Sequence, residues 1–374
     1  MKLTEQWSKV FQGGLALVLI LGFADQAFGQ KKPQKKPEFA YVVNVSSNNV
    51  SAYTIDGVTG ALRPVAGSPF AAGFFPTGVA VDPSGKFVYV ANAGANNVSA
   101  YTINPTTGAL SAVAGSPFAS GAAPNLVAVH PSGKFAYVTN VSSNDVSAYA
   151  INPTTGALIP VPGSPFTAGA NPFGVAADPS GNFVYVANIF GNSVSAYIID
   201  STTGALTPVP GSPFAAGSHP ESVAVDPSGS FTYVTNNGDN SVSAYTIDTT
   251  GALTPVTGSP FAAGCGPFGA AVDPSGKFAY VTNQCANNVS AYTIDSTTGT
   301  LTPVTGSPFG AGADPLGLAV DPSGNFIYVA NVNGGDVSAY TIDGTTGTLT
   351  PATGSPFAAG SGPFSVATAK RRGP

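Results

Sequence analysis

Pro76-Thr-Gly-Val-Ala-Val-Asp-Pro-Ser-Gly-Lys-Phe-Val-Tyr-Val-Ala-Asn92 is the stretch on which the fold turns. Thr77 to Val81 is a short apolar run with β-branched residues, the composition of a strand. Asp82-Pro-Ser-Gly85 is a turn: Asp caps it, Pro presets φ and Gly takes the conformation the others resist. Phe87 to Ala91 is a second strand. A polar turn (Ala93 to Asn97) leads to a third, Val98 to Ile103, and the turn Asn104 to Gly108 to a weaker fourth, Ala109 to Val113. Other copies place Pro208 or Pro255 at the centre of that fourth strand, which suits an edge because Pro donates nothing to a ladder. Gly115-Ser-Pro-Phe118 and a Gly/Ala stretch then lead onward.

The unit recurs along the chain. Tyr-Val followed two residues later by Asn starts at Tyr41, Tyr89, Tyr137, Tyr185, Tyr233, Tyr280 and Tyr328, a period of 48 residues broken once by a 47. Gly-Ser-Pro-Phe starts at Gly67, Gly115, Gly163, Gly211, Gly258, Gly306 and Gly354. A fixed period of this size means one supersecondary unit stacked on its own copies. Four short antiparallel strands per unit, seven times over, predict an all-β, seven-bladed β-propeller. The first copy begins near Phe39 with its second strand. The last runs on into Pro363-Phe-Ser-Val-Ala-Thr368, which reads as a first strand, so the carboxyl-terminal strand is expected to complete the amino-terminal blade and leave no open sheet edge. The propeller is assigned to residues 39–369.

Composition agrees with a globular domain of unusual surface. Of 374 residues 43% are hydrophobic but only 8% charged, against a usual charged fraction of about 25%. Between Asp56 and Asp343 fifteen acidic residues face four basic ones, Arg63, Lys86, Lys134 and Lys277. An acidic body without a basic face excludes nucleic acid as the expected partner. The remaining positive charge sits at the ends. Residues 370–374 read as a basic solvated tail, with weak tethering to an anionic surface as the alternative. Lys2 and Lys9, the apolar run Gly13 to Phe23 and the small residues Ala27 and Gly29 read as a signal peptide over 1–29, followed by a Lys/Pro-rich linker over 30–38. The apolar run is shorter than the roughly 20 residues a membrane span needs. The expected product is secreted, periplasmic or at the cell surface, and monomeric.

Cys265 precedes the first strand of the sixth unit and Cys285 follows its second. The hairpin turn between them is centred near residue 275, which places the two opposite each other, and in an exported protein they are expected to form a disulfide.

The repeat also separates structural positions from variable ones. Two loops vary most between copies, and in a propeller both open on one face around the channel: the approach to the first strand and the turn between strands two and three. The candidate binding residues there are Phe75, Thr77, Asn125, Asn171, Phe173, Phe190, His219, Glu221, Asp239, Phe268, Asp314 and Asn333. A small molecule, glycan or protein would bind at this mouth. Catalytic groups are sparse. His219 and Glu221 form the one candidate acid–base pair, against the plainer reading of two exposed loop residues. His130 stands where other copies have a turn Asp and reads as a turn residue. No cofactor is expected; Ca²⁺ held by Asp239, Asp314 and loop carbonyls is the alternative. Gly264-Cys-Gly-Pro-Phe-Gly269 spells G-x-G-x-x-G, but it leads into a strand, so no helix N-terminus is there to cradle a phosphate. G-x-S-x-G, P-loop and H-E-x-x-H motifs are absent from the sequence. The Asn-Val-Ser triplets at Asn44, Asn49, Asn97, Asn140 and Asn288 spell glycosylation acceptors but recur because the unit recurs.

The unit Pro76 to Asn92, followed by Asn97-Val-Ser-Ala-Tyr101, resembles the YVTN β-propeller repeat family and the related seven-bladed lactonase family, over roughly residues 39–369. The first resemblance implies an exported or surface-layer binding module. The second implies hydrolysis of sugar lactones at the channel mouth with His and Arg. At a first strand where such enzymes carry Pro-Arg-His, this chain has Pro220-Glu221-Ser222, and the His expected one blade earlier falls at Phe173. The function expected from the residues is therefore an exported, non-catalytic propeller that binds a ligand or partner. The alternative is a sugar-lactone hydrolase using His219 and Glu221.

Overall fold

The computed structural model describes residues 38–370, so the expected signal peptide, most of the expected linker and most of the basic tail lie outside the described residues. Seven sheets make up the described chain. In the second blade the strands are Pro76–Val81, Phe87–Asn92, Asn97–Ile103 and Leu110–Ala112, hydrogen-bonded in that order. First strands touch first strands all the way round, and Pro363–Ala369 contacts both the second blade's Pro76–Val81 and the seventh blade's Pro315–Val320. Pro363–Ala369 also pairs antiparallel with Glu38–Asn44, with Tyr41 opposite Ala367. The propeller is closed as the sequence predicts.

One element per blade escapes the four-strand reading. Phe118–Ala119, from the Gly-Ser-Pro-Phe phrase, forms a two-residue strand against Asn97–Val98, beyond the reach of Leu110–Ala112. The outer edge of the third strand is thus shared by two short strands, and each sheet has five. The phrase earns its recurrence through its serine: Ser116 Oγ accepts a hydrogen bond from the Ala100 amide at 2.9 Å, as do its counterparts in all seven blades, from Ser68 onto Ala52 to Ser355 onto Ala339. The seven Ser-Pro bonds are cis.

The core lies between blades, not within one. Each apolar cluster joins two neighbouring sheets, as where Tyr41, Val43 and Val50 of the first blade pack on Val88, Val90 and Tyr101 of the second. That is why the strands are apolar on both faces. All fourteen tyrosines of the sequence sit at these interfaces. Those of the Tyr-Val phrase reach forward: Tyr41 Oη donates to the Gly108 carbonyl of the next blade at 3.0 Å, and the series ends with Tyr328 onto Gly60, across the closure. Those of the third strand reach back, as from Tyr101 to the Ala71 carbonyl at 2.6 Å. Burial pushes the phenols of the first set well above their ordinary value of 10, so they remain donors at any physiological pH. The acceptor glycine is obligatory on two counts. Gly108 has φ +78°, and a Cβ there would stand 2.4 Å from the Phe39 ring.

His130 proves to be the turn residue expected. It is 7% exposed; the Ser132 amide donates to its Nδ1 at 3.0 Å, and its Nε2 meets the Gly181 carbonyl of the next blade at 2.8 Å. In the other copies the turn aspartate, for example Asp226, accepts from the amide of the second strand's first residue, Phe231, at 2.7 Å.

Candidate functional site at the channel mouth

Each first strand is entered through a residue in the left-handed region: Phe75, Ala123, Asn171, His219, Gly266, Asp314 and Gly362 all have φ between 50° and 69°. Six of them are clamped at the amide by an asparagine of the preceding blade's turn, as the Asn192 side chain accepts from the His219 amide at 3.0 Å. Their carbonyls accept from the turn that follows the second strand, as Asn171 does from the Ile189 amide at 3.0 Å. The two variable loop sets therefore do open on one face. Cys265 and Cys285 tie one such pair together, with Cα atoms 5.4 Å apart, beside the bond from the Gln284 amide to the Gly266 carbonyl. The predicted disulfide is present and braces the rim of the mouth.

The residue after each proline starts the strand proper and faces the channel. Thr77, Asn125, Phe173, Glu221, Phe268, Leu316 and Phe364 all line a mouth cavity of about 380 Å³, to which Phe75 and Gln284 also contribute. Below it lies a smaller cavity of about 90 Å³. Phe173, Glu221, Phe268 and Phe364 border both. Phe268 meets Phe173 edge-to-face at 5.6 Å and Phe364 at 5.8 Å, a favoured geometry for phenyl rings.

Glu221 is the one ionisable side chain lining the mouth cavity among the described residues. Its Oε2 is buried and has no hydrogen-bond partner among the described residues. A buried carboxylate oxygen without a partner is costly, and desolvation by burial pushes the Glu221 pKa up from 4.5 to about 7. The backbone under it has no slack: a Cβ on Gly174 of the neighbouring blade would stand 2.5 Å from the Glu221 carbonyl oxygen.

The candidate residues divide accordingly. Phe75, Thr77, Asn125, Phe173, Glu221 and Phe268 come together around the cavity. Asn171, Phe190, His219, Asp239, Asp314 and Asn333 line neither of the two cavities. His219 is exposed, and its ring lies against Phe190 at 6.1 Å on the rim. Asp239 Oδ2 accepts from the Ser218 amide, and Asp314 from Asn333 Nδ2 at 3.0 Å. Among the described residues no three His, Cys, Asp or Glu side chains cluster so as to hold a metal ion. Ala93, Val141 and Ile189, the residues that follow the repeated Asn, line the cavity as well. Sequence reasoning missed them, although their variation from copy to copy was the available signal.

The sequence matches the lactonase family of seven-bladed β-propellers over residues 32–123, 79–266 and 261–366. The chain belongs to that family. No curated protein matches the sequence. Solved structures share the fold at low identity. The periplasmic gluconolactonase of Pseudomonas aeruginosa is 18% identical, with a TM-score of 0.77 over 90% of this chain and 100% of that one. Two 6-phosphogluconolactonase-like proteins are comparable. That of Bacteroides fragilis is 20% identical, with a TM-score of 0.79 over 90% and 99% of the two chains. That of Bacteroides uniformis is 19% identical, with a TM-score of 0.78 over 89% and 99%. Membership of the lactonase family favours the hydrolase alternative over the non-catalytic module.

Proposed function

We propose that this lactonase-family propeller hydrolyses a lactone in the mouth cavity, with Glu221 as its acid–base group. The observation that carries the reading is the Glu221 carboxyl lining the cavity, its Oε2 buried with no hydrogen-bond partner among the described residues. A carboxyl titrating at about 7 is divided between its two forms at neutral pH, which is the condition for efficient proton transfer in both directions. As the carboxylate, Glu221 takes a proton from a water molecule while that water adds to the lactone carbonyl carbon. As the resulting acid, it returns the proton to the ring oxygen when the ring C–O bond breaks. The sum is lactone plus water giving a hydroxy acid.

That no second ionisable group lines the cavity among the described residues favours, as a second reading, a propeller that binds the same ligand without turning it over. Export belongs to the proposal too. It is supported by the Cys265–Cys285 disulfide and by the signal-like sequence ahead of Gln30.

Turnover of δ-lactones by the purified protein tests the proposal, with Glu221→Gln as the variant. Loss of general acid–base catalysis lowers kcat/KM by about 10²-fold or more. Equal turnover by the variant and the parent removes Glu221 from the chemistry. Ligand binding with no turnover by either leaves the second reading.

A further inference from the structure

We infer that the lactone this site accepts carries an apolar substituent, an alkyl or aryl group, and no phosphate. The inference rests on the lactone-binding role proposed for the mouth and specifies its substrate class. Three observations point the same way.

The first is the lining. Nine of the thirteen residues lining the 380 Å³ cavity are apolar, among them Phe75, Phe173, Phe268, Phe364, Leu316 and Ile189; the volume is near the lower end of small-molecule sites at about 300–1,000 Å³. Part of the polar remainder is already engaged: Thr77 Oγ1 donates to the Asn125 carbonyl at 3.0 Å, and Asn125 is only 3% exposed. A polyhydroxylated ring buried there would leave several hydroxyls without partners, at a cost for each.

The second is the placement of positive charge. Among the described residues, no Lys, Arg or His lines the cavity. Lys86, Lys134 and Lys277 follow the turns at the far end of the first strands, Lys370 follows Pro363–Ala369, and Arg63 lies in an outer strand. Each first strand runs from the mouth to the opposite face, so these lysines stand across the ring from the cavity. A phosphate dianion in the mouth would lose its hydration with no cation to replace it, and it would face Glu221.

The third is the rim. Phe74 and Phe190 are 63% and 69% exposed, and each adjoins a lining residue, Phe75 and Ile189 respectively. Large exposed aromatics beside an apolar cavity extend the surface on which a hydrocarbon tail can lie.

The test is a substrate series on the full mature chain: δ-valerolactone, δ-octalactone, δ-decalactone, dihydrocoumarin, glucono-δ-lactone and 6-phosphogluconolactone. The inference predicts that kcat/KM rises about fourfold for each buried methylene from δ-valerolactone to δ-decalactone. It also predicts that the phosphorylated lactone is the poorest of the set. Phe173→Ser should flatten the dependence on chain length, and the parent series stands by itself if that variant does not fold. Preference for either sugar lactone overturns the substrate inference and leaves the hydrolase reading intact. If no lactone is turned over, the hydrolase reading falls. Calorimetric titration with δ-decalactone then decides the ligand class: saturable binding supports an apolar ligand, and no binding overturns it.

Discussion

Replacing Glu221 by Gln should make the protein more stable, and only at the alkaline end of its range. The Oε2 atom is buried without a partner among the described residues, and burial moves the carboxyl from 4.5 to about 7. Below pH 4.5 the group is protonated in folded and unfolded chains alike and has no effect. Between pH 4.5 and about 7 the unfolded chain gives up the proton first, so folding becomes steadily less favourable as pH rises. Above about 7 the penalty is constant, at about 3 kcal/mol for a displacement of this size. Glutamine has nearly the same shape and never ionises, so the variant escapes the penalty. In a domain of roughly 330 residues, where each kcal/mol moves Tm by about 1.4 °C, the variant should melt about 4 °C above the parent at pH 8.5. At pH 4.5 the two should melt together. Differential scanning calorimetry of both proteins at the two pH values isolates this carboxyl from the fourteen other acidic residues of the repeat body, because those titrate identically in each. A melting difference that does not change with pH would show that Glu221 is solvated and ordinary, and would refute the reasoning.

Other consequences are independent of the chemistry. Tyr328→Phe removes the hydrogen bond to the Gly60 carbonyl that spans the closure; it should cost about 1–2 kcal/mol in urea denaturation, and Tyr137→Phe should cost a similar amount, since closure repeats the same contact. Replacing Cys265 and Cys285 together by Ser opens a loop of sequence separation 20 and should cost about 3 kcal/mol on the loop-entropy account, matched by reduction of the parent. Gly174→Ala places a Cβ 2.5 Å from the Glu221 carbonyl oxygen. It should lower stability by about 1–3 kcal/mol and shift the carbon-13 titration of the Glu221 carboxyl, which a purely global destabilisation leaves in place.

Fold and site were legible to different degrees, for physical reasons. Ring closure could be read because copies of one unit must share one structure, and the strand missing near Phe39 reappears at Pro363. The disulfide could be read because a hairpin fixes which residues face each other. The short strand Phe118–Ala119 could not: two residues carry no period, and its pairing with Asn97–Val98 depends on the fourth strand ending early. His219 and Glu221 stand two apart, and alternate residues of one strand share a face. That parity fails because His219, at φ 50°, lies outside the strand. Its ring is left on the rim while Glu221 lines the channel. The αL residue ahead of each proline was only partly legible: Asn171, His219, Gly266, Asp314 and Gly362 are types that favour that region, whereas Phe75 and Ala123 are not.

The most direct test of the account is the pH dependence of kcat/KM for δ-decalactone between pH 5 and 9, corrected for spontaneous hydrolysis. If Glu221 accepts the proton, the rate should climb tenfold per pH unit on the acid side and level off near pH 7, where its carboxyl has ionised. A profile that is flat through pH 7, or an inflection there that survives in Glu221→Gln, would contradict it.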